Sequence, residues 1–375
     1  MTKPDRVLIL SAAVGSGHIR AARAVGAALK RQGNLEVQYA DIFDFLNPLL
    51  GQGIIKIYLK ILQMTPGLYG QMYRWGNRNE LALAGRNWLS RYWASGLEQY
   101  LHNFKPAAIV CTHAAPAGLA AGLSGRGRIT IPVFAVVTDF VVHRLWIYPE
   151  VERYFLADET LRTYFSERGI PAERSLITGI PVSEEFSVRL DRSTILQDLN
   201  LEKAKKTILI MGGGAGIFPM EELVKTCDGL AVPLQIIVVT GNNRHMYSKL
   251  CNLKTSLRST LHVFSYVDSI HKLMAVADVI ISKPGGMTSA EALCIGLPMI
   301  IFRPIPGQEE GNAQFLLDKK VAVRANHCDE LGNIVLTLLQ EQSQQLELMR
   351  NRVKELARPA AADEIAGHII RTIYN

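Results

Sequence analysis

The chain has 375 residues, enough for two domains with cores of their own, and nearly half of it is apolar, as in an ordinary globular protein. Its five cysteines, Cys111, Cys227, Cys251, Cys294 and Cys328, form no CxxC pair, which excludes a zinc ribbon or a disulfide framework and points to reduced thiols in the cytoplasm. The net charge of +7 is uneven: residues 1–180 carry all of it and residues 181–375 are neutral, so an acidic partner would meet the first half.

No apolar run approaches the ~20 residues that span a bilayer. The opening "MTKPDRVLILSAAVG" reads as a first buried strand, over 6–12, rather than a signal peptide. "VGSGH" (14–18) follows it and leads into the helical pattern "IRAARAVGAALKRQG". Gly15 and Gly17 permit close backbone approach to a ligand, and the helix behind them offers unpaired N–H groups and a positive dipole end. This is not a P-loop, because no Gly-Lys-Ser/Thr follows. Nor is it a dinucleotide fingerprint, because Arg20 stands where the third glycine is needed. His18 at the carboxyl edge of a first strand faces the sheet's crevice and can take a proton from a hydroxyl near neutral pH. The alternative is a histidine that only caps the helix.

A second strand is expected over 35–41. Residues 49–100 then hold six Lys or Arg against two acids, and three of the four tryptophans. Lys56 and Lys60 share one helical face with an aliphatic remainder. Basic residues with Trp and Tyr at an apolar boundary suit an interfacial helix on anionic lipid, and the competing reading is an aromatic core. Nucleic acid is not a supported partner, because no binding motif occurs and the basic residues are interleaved with aliphatics.

Further strands are expected over 107–113, 133–139 and 153–158. Asp139, closing the middle one, either orients His18 and stabilises its cation or caps the next helix. His113 reads as a satisfied loop histidine. The Gly-Ile-Pro turn in "TGIPVSEEF" (178–186) marks a boundary between domains over 1–180 and 181–359. The last helix, 360–375, follows "RPA" and is expected to pack back on the first domain.

The second half brings strands over 206–213, 234–241, 261–266, 279–285 and 298–302. In "MGGGAG" (211–216), Gly212, Gly213 and Gly214 are costly to order, which implies close approach to a ligand. Gly241 in "VVTGNN" ends the next strand similarly. In "ISKPGGMTSAEALCIGLPMIIFRPIPGQEEGN" (281–312) a strand ends at Lys283 and turns through Pro284, Gly285 and Gly286. Thr288 or Ser289 opens a helix whose terminal N–H groups can hold a diphosphate without metal, with Lys283 as a point charge. Gln308, Glu309 and Asn312 in the next loop offer hydrogen bonds to sugar hydroxyls, and no Asp-x-Asp pair is present to hold a divalent ion. Strand and helix alternating throughout predict two α/β units with parallel sheets.

"GSGH", "MGGG" and "SKPGGMTSAEAL…PMIIF…PIPGQEEGN" together resemble the monogalactosyl- and glucosyl-diacylglycerol synthases, relatives of the N-acetylglucosaminyltransferase that makes the peptidoglycan lipid precursor. "PGLYGQMYRWGN" (66–77), "VVTDFVVHRLWIYPEVERYFLAD" (136–158) and "GIPV" (179–182) extend the similarity over nearly the whole chain. The resemblance implies an α/β fold of the GT-B type: two Rossmann-like domains facing across a cleft, with the acceptor on the first and a nucleotide-sugar on the second. It implies His18 as the base, diphosphate contacts at Gly212–Gly214 and in the 285–288 turn, and Phe264 and Val267 near the base ring. Glu291 would lie near the ribose, and Gln308 and Glu309 on the transferred sugar; apart from the resemblance, His143 and Trp146 are expected to border the acceptor. The function so implied is metal-free, inverting transfer of glucose or galactose from a UDP-sugar to diacylglycerol or a related glycerolipid, on the inner face of the cell membrane. Two alternatives stand beside it: N-acetylglucosamine transfer to a polyprenyl-linked precursor, and a UDP-sugar sensor without catalysis.

Overall fold

The computed structural model describes residues 4–13, 15–45, 94–188, 190–213, 218–340 and 343–375. Most of the basic and aromatic 49–100 segment, and Gly214, lie outside the described residues. The chain divides into two units. One runs to Ser183 and adds Pro306–Gln308 and Arg358–Asn375; the other is Glu184–Ile305 with Glu309–Ala357.

The first unit is built on a parallel sheet of six strands: β1 (Asp5–Ser11), β2 (Leu35–Asp41), β3 (Ala108–Cys111), β4 (Val133–Val136), β5 (Arg153–Leu156) and β6 (Ser175–Ile177). Their order is β2-β1-β3-β4-β5-β6. Val7, Leu8, Ile9 and Leu10 are all buried, so β1 is covered on both faces, as its unbroken apolar run demands. The helix Ser16–Gln32 turns Ala21, Ala22, Val25, Ala28 and Leu29 inward, at the spacing of one helical face. Ile365, Ala366 and Ile369 of the last helix, Ala361–Tyr374, join the same core cluster. Each fully buried Val, Leu or Ile among them contributes about 1.5–3 kcal/mol. The helix Gln344–Leu356 ends just before "ARPA", where Pro359 has no N–H to continue it, and Asp363 then ties the last helix to Gln32 (2.8 Å) and Arg31.

The second unit holds β7 (Lys206–Met211), β8 (Leu234–Val239), β9 (Thr260–Phe264), β10 (Val279–Ser282), β11 (Met299–Phe302) and β12 (Ala322–Ala325), all parallel. Their order is β12-β11-β10-β7-β8-β9, the doubly wound order of a Rossmann sheet. Ile208, Ile210, Ile236, Val238, Val279, Ile281 and Ile300 form its core and have no measurable exposure. Asp278 is buried yet satisfied: it accepts from the Thr207 N–H at 2.9 Å and pairs with Arg350 at 3.0 Å.

All ten strands expected from the sequence form. The two that pattern reading passes over, β6 and β12, are the short edge strands of the two sheets. "PGQEEGN", read as a loop, instead opens the helix Gln308–Asp318.

Candidate functional site

An open parallel sheet binds ligands beyond the carboxyl ends of its strands, where the strand order reverses. In the first unit that point lies between β1 and β3. The turn after β1 carries His18 on the first turn of its helix, and the turn after β3 carries Thr112 and His113. The His18 Nδ1 lies 3.0 Å from the Thr112 carbonyl oxygen and 2.9 Å from the Thr138 hydroxyl. A carbonyl can only accept, so Nδ1 carries the proton and donates it. The lone pair of His18 is therefore on Nε2. The Thr112 hydroxyl donates to the His18 backbone carbonyl at 3.1 Å and locks the turn from the other side. Thr112 and Thr138 are both buried, which fixes the imidazole on a rigid support.

Burial pushes the His18 pKa down to about 4, opposed by the bond to Thr112. His143 is likewise pushed down to about 4 by burial. His113 lies well below the ordinary histidine value, through burial and then the neighbouring His18 and His143. The His113 ring meets His18 edge-on with centroids 4.7 Å apart. His113 caps the helix Ala114–Gly125, and its Nδ1 accepts from the Ala115 N–H at 3.1 Å. His143 caps the short 3₁₀ turn Arg144–Trp146 in the same manner, and Trp146, the last residue of that turn, is buried.

Asp139 departs from both roles read for it. The groups on His18 Nδ1 are the Thr112 carbonyl and the Thr138 hydroxyl, and no carboxylate contributes to its pKa shift. The cap of the following turn is His143. Asp139 is buried and accepts from the Gln308 side-chain amide. Gln308 groups with the first unit, so the pair expected to read the sugar is split: Gln308 serves Asp139 and Glu309 stays with the second unit.

In the second unit the order reverses between β7 and β10. The Ser282 hydroxyl donates to the Met211 carbonyl at 2.7 Å and fixes the ends of these strands side by side. Beyond them stand Gly212 and Gly213 on one side and Lys283, Gly285 and Gly286 on the other. Gly213 has φ +75°, which favours glycine, and a side chain on Gly212 would meet the Phe218 Cβ at 2.3 Å. Gly285 has an ordinary backbone and open space where its Cβ would be. It caps the helix Gly286–Ile295, which aims its free N–H groups at that space. Thr288 lies on the first turn, and among the described residues nothing pairs with the buried Ser289 hydroxyl beside it. Glu291 is buried one turn further in.

The remaining candidates fall at the same end of the sheet. Phe264 closes β9, and its carbonyl accepts from the Thr240 N–H at 2.9 Å, placing Gly241 (φ +59°) beside it. Val267 is half-buried in the loop that follows. Glu309 is pushed up by burial, opposed by the Ile305 N–H at 2.7 Å on its Oε2 and by the charge of Lys283. Asn312 does not offer its amide to a sugar. It has no exposure and donates to the Pro284 carbonyl at 3.0 Å, because the helix that replaces the expected loop turns it inward with Ala313 and Leu316. Its place is to hold the glycine turn. Thr112 and Thr138 have no signature in the sequence, since one acts through a backbone oxygen and the other is a single residue from Asp139.

Comparison with known proteins places the chain in a family. The family model described as monogalactosyldiacylglycerol (MGDG) synthase matches residues 18–182, and that of the glycosyltransferase family 28 C-terminal domain matches 207–365. The processive diacylglycerol beta-glucosyltransferase of Bacillus mycoides (strain KBAB4) is 32% identical over 375 residues, covering 100% of this chain and 94% of that protein. Among solved structures, Acinetobacter baumannii MurG superposes with a TM-score of 0.64 at 19% identity, over 98% of this chain and 100% of that one. Anabaena Alr3699/HepE in complex with UDP-glucose gives 0.57 at 14% identity, again over 98% and 100%. These two likenesses show the fold, which is GT-B, and the Bacillus relative shows more: the chain belongs to the monogalactosyldiacylglycerol synthase and diacylglycerol glucosyltransferase family of glycosyltransferases.

Proposed function

We propose that this protein is an inverting hexosyltransferase that moves glucose from UDP-glucose to the free hydroxyl of diacylglycerol and forms a β-glycolipid. The observation that carries the chemistry is the His18 tautomer. With Nδ1–H committed to the Thr112 carbonyl, Nε2 is an unprotonated base at the switch point of the first sheet. His18 takes the acceptor's proton as its oxygen attacks the anomeric carbon from the face opposite UDP. Charge leaves on the diphosphate, where the N–H groups of Gly213 and of the helix beginning at Gly286, with Lys283, stabilise it. The orphaned Ser289 hydroxyl fits an anionic neighbour. These donors supply positive charge without a divalent ion, so the reaction runs without metal. Glucose, rather than galactose, is inferred from the name of the Bacillus relative, which also leaves N-acetylglucosaminyl transfer and a purely sensing role unsupported.

The protein works at the surface of a membrane, held by residues 49–100 to anionic lipid on its inner face. Among the described residues no helix is long and apolar enough to cross a membrane. The test is incubation with UDP-glucose, UDP-galactose and UDP-N-acetylglucosamine over diacylglycerol, with a chelator present, and identification of the glycolipid. UDP-glucose should give the product. His18→Ala should lower kcat by about 10²–10⁴-fold, the usual worth of a general base, while UDP binding persists. Near-normal turnover in that variant would remove His18 from the chemistry.

A further inference from the structure

Three imidazoles cluster beyond the carboxyl ends of β1, β3 and β4, and their hydrogen bonds fix different tautomers. His18 donates from Nδ1 and therefore presents a lone pair at Nε2. His113 and His143 accept at Nδ1 from backbone N–H groups, so in their neutral forms both carry the proton on Nε2. A helix cap needs only an oxygen or nitrogen acceptor, and Ser, Asp or Asn would serve. A histidine in that place adds a second, outward polar atom that the cap does not use. Among the described residues nothing accepts from the His113 Nε2–H, and its ring lies edge-on to the base at 4.7 Å between centroids.

We propose that His113 binds the acceptor: its Nε2–H donates to the ester group on the carbon next to the hydroxyl that His18 deprotonates. The assignment rests on the transferase reading given above. It follows from reach. The reacting hydroxyl must come within about 3 Å of His18 Nε2. An imidazole whose centre is 4.7 Å from His18's then meets the atoms carried by the next carbon of the same molecule. In a diacylglycerol those atoms are the neighbouring ester oxygens, which accept hydrogen bonds and have no proton to give. Base and donor thus form a matched pair, one taking a proton from the hydroxyl and the other giving a hydrogen bond to the ester. The low pKa of His113 keeps it neutral at working pH, so Nε2–H is offered without placing a second cation beside the base. An ether lipid lacks the ester carbonyl and offers only its weaker ether oxygen at that place, so it makes a poorer hydrogen bond with this donor and is disfavoured.

The experiment compares a diester diacylglycerol with its dialkyl ether analogue in the same mixed micelles. His113→Asn keeps an oxygen for the Ala115 N–H, so it should melt with the wild type, but its amide nitrogen stops short of where the imidazole Nε2–H reaches and so withdraws the donor from the ester. Its KM for the diester should rise about tenfold, with KM for UDP-glucose unchanged. The wild type should disfavour the ether analogue by a similar factor, and His113→Asn should treat the two lipids alike. His113→Gln, whose amide nitrogen reaches further, should recover part of the ester preference. An undiminished ester preference in His113→Asn, or a rise confined to the KM for UDP-glucose, would overturn the assignment. A wild-type chain that glycosylates neither lipid would overturn the transferase reading, and this assignment with it.

Discussion

Burial around His18 has two consequences that pull on pH in the same direction. The folded-state pKa near 4 lies below the ordinary 6.5, so the base form persists well into the acid range. The acid limb of kcat/KM should therefore lie below pH 6, where an exposed histidine would already have lost activity. A pH–rate profile checks this, and an acid limb at 6.5 would identify a different, solvated base. The same shift bears on stability. Between pH 6.5 and 4 the unfolded chain binds protons that the folded His18 and His143 refuse, so stability falls as pH falls through that window. Each group contributes at most about 1.4 kcal/mol per pH unit. Denaturant midpoints should therefore drop from pH 6.5 to 4, and less steeply in His18→Ala. The position of His18 was legible in the sequence, since two glycines after an unbroken apolar run mark the turn from a strand into a helix. Its support was not. A backbone carbonyl such as that of Thr112 is present at every residue, and the choice of Thr138 over its neighbour Asp139 turns on one residue of loop geometry.

Among elements, the strands were legible because those buried on both faces are short unbroken Val/Ile/Leu runs. β12, with Arg324 in its four residues, lacks that pattern, and β6 has only three residues. The expected strands also overran by two or three residues at 112–113, 137–139, 212–213, 240–241 and 283–285. Those overruns are the loops beyond the carboxyl ends, so the residues misassigned to strands lie at the edge where an open parallel sheet binds ligands. The helix Gln308–Asp318 escaped because "PIPGQEEGN" carries the glycines and prolines of a loop, while its apolar face begins only at Ala313. The glycine turn before Gly286 allows a clean test of the donor site. Gly285→Ala meets nothing within 4 Å and keeps an ordinary φ of −64°, so the folded protein should tolerate it with an unchanged melting temperature. A diphosphate held on that helix terminus would occupy the same space. The KM for UDP-glucose should then rise tenfold or more, with KM for the lipid unchanged. Unaltered UDP-glucose kinetics would place the diphosphate elsewhere.

At the scale of the whole chain, one sequence feature organises the rest: all of the net positive charge lies in residues 1–180 and none in 181–375. A nucleotide's diphosphate is a local charge, which on the proposed reading helix N–H groups and a single lysine of the second unit would meet, and it needs no net charge around it. An anionic membrane is a broad charge, and a broad excess of cations answers it. Each cation near such a surface contributes about 1 kcal/mol, so on the proposed reading the six in residues 49–100 would suffice for reversible attachment. This attraction is screened over about 10 Å at 0.1 M salt and about 3 Å at 1 M. Binding to vesicles containing anionic lipid should therefore weaken steeply with salt, and binding to neutral vesicles should be weak throughout. Replacing Lys56, Lys60, Arg74 and Arg78 by Gln should abolish most flotation with anionic vesicles while sparing turnover on detergent-dispersed diacylglycerol, which presents the acceptor without a charged surface. Equal losses in the two assays would mean that these residues support the fold rather than the membrane, and would return the segment's aromatics to a core.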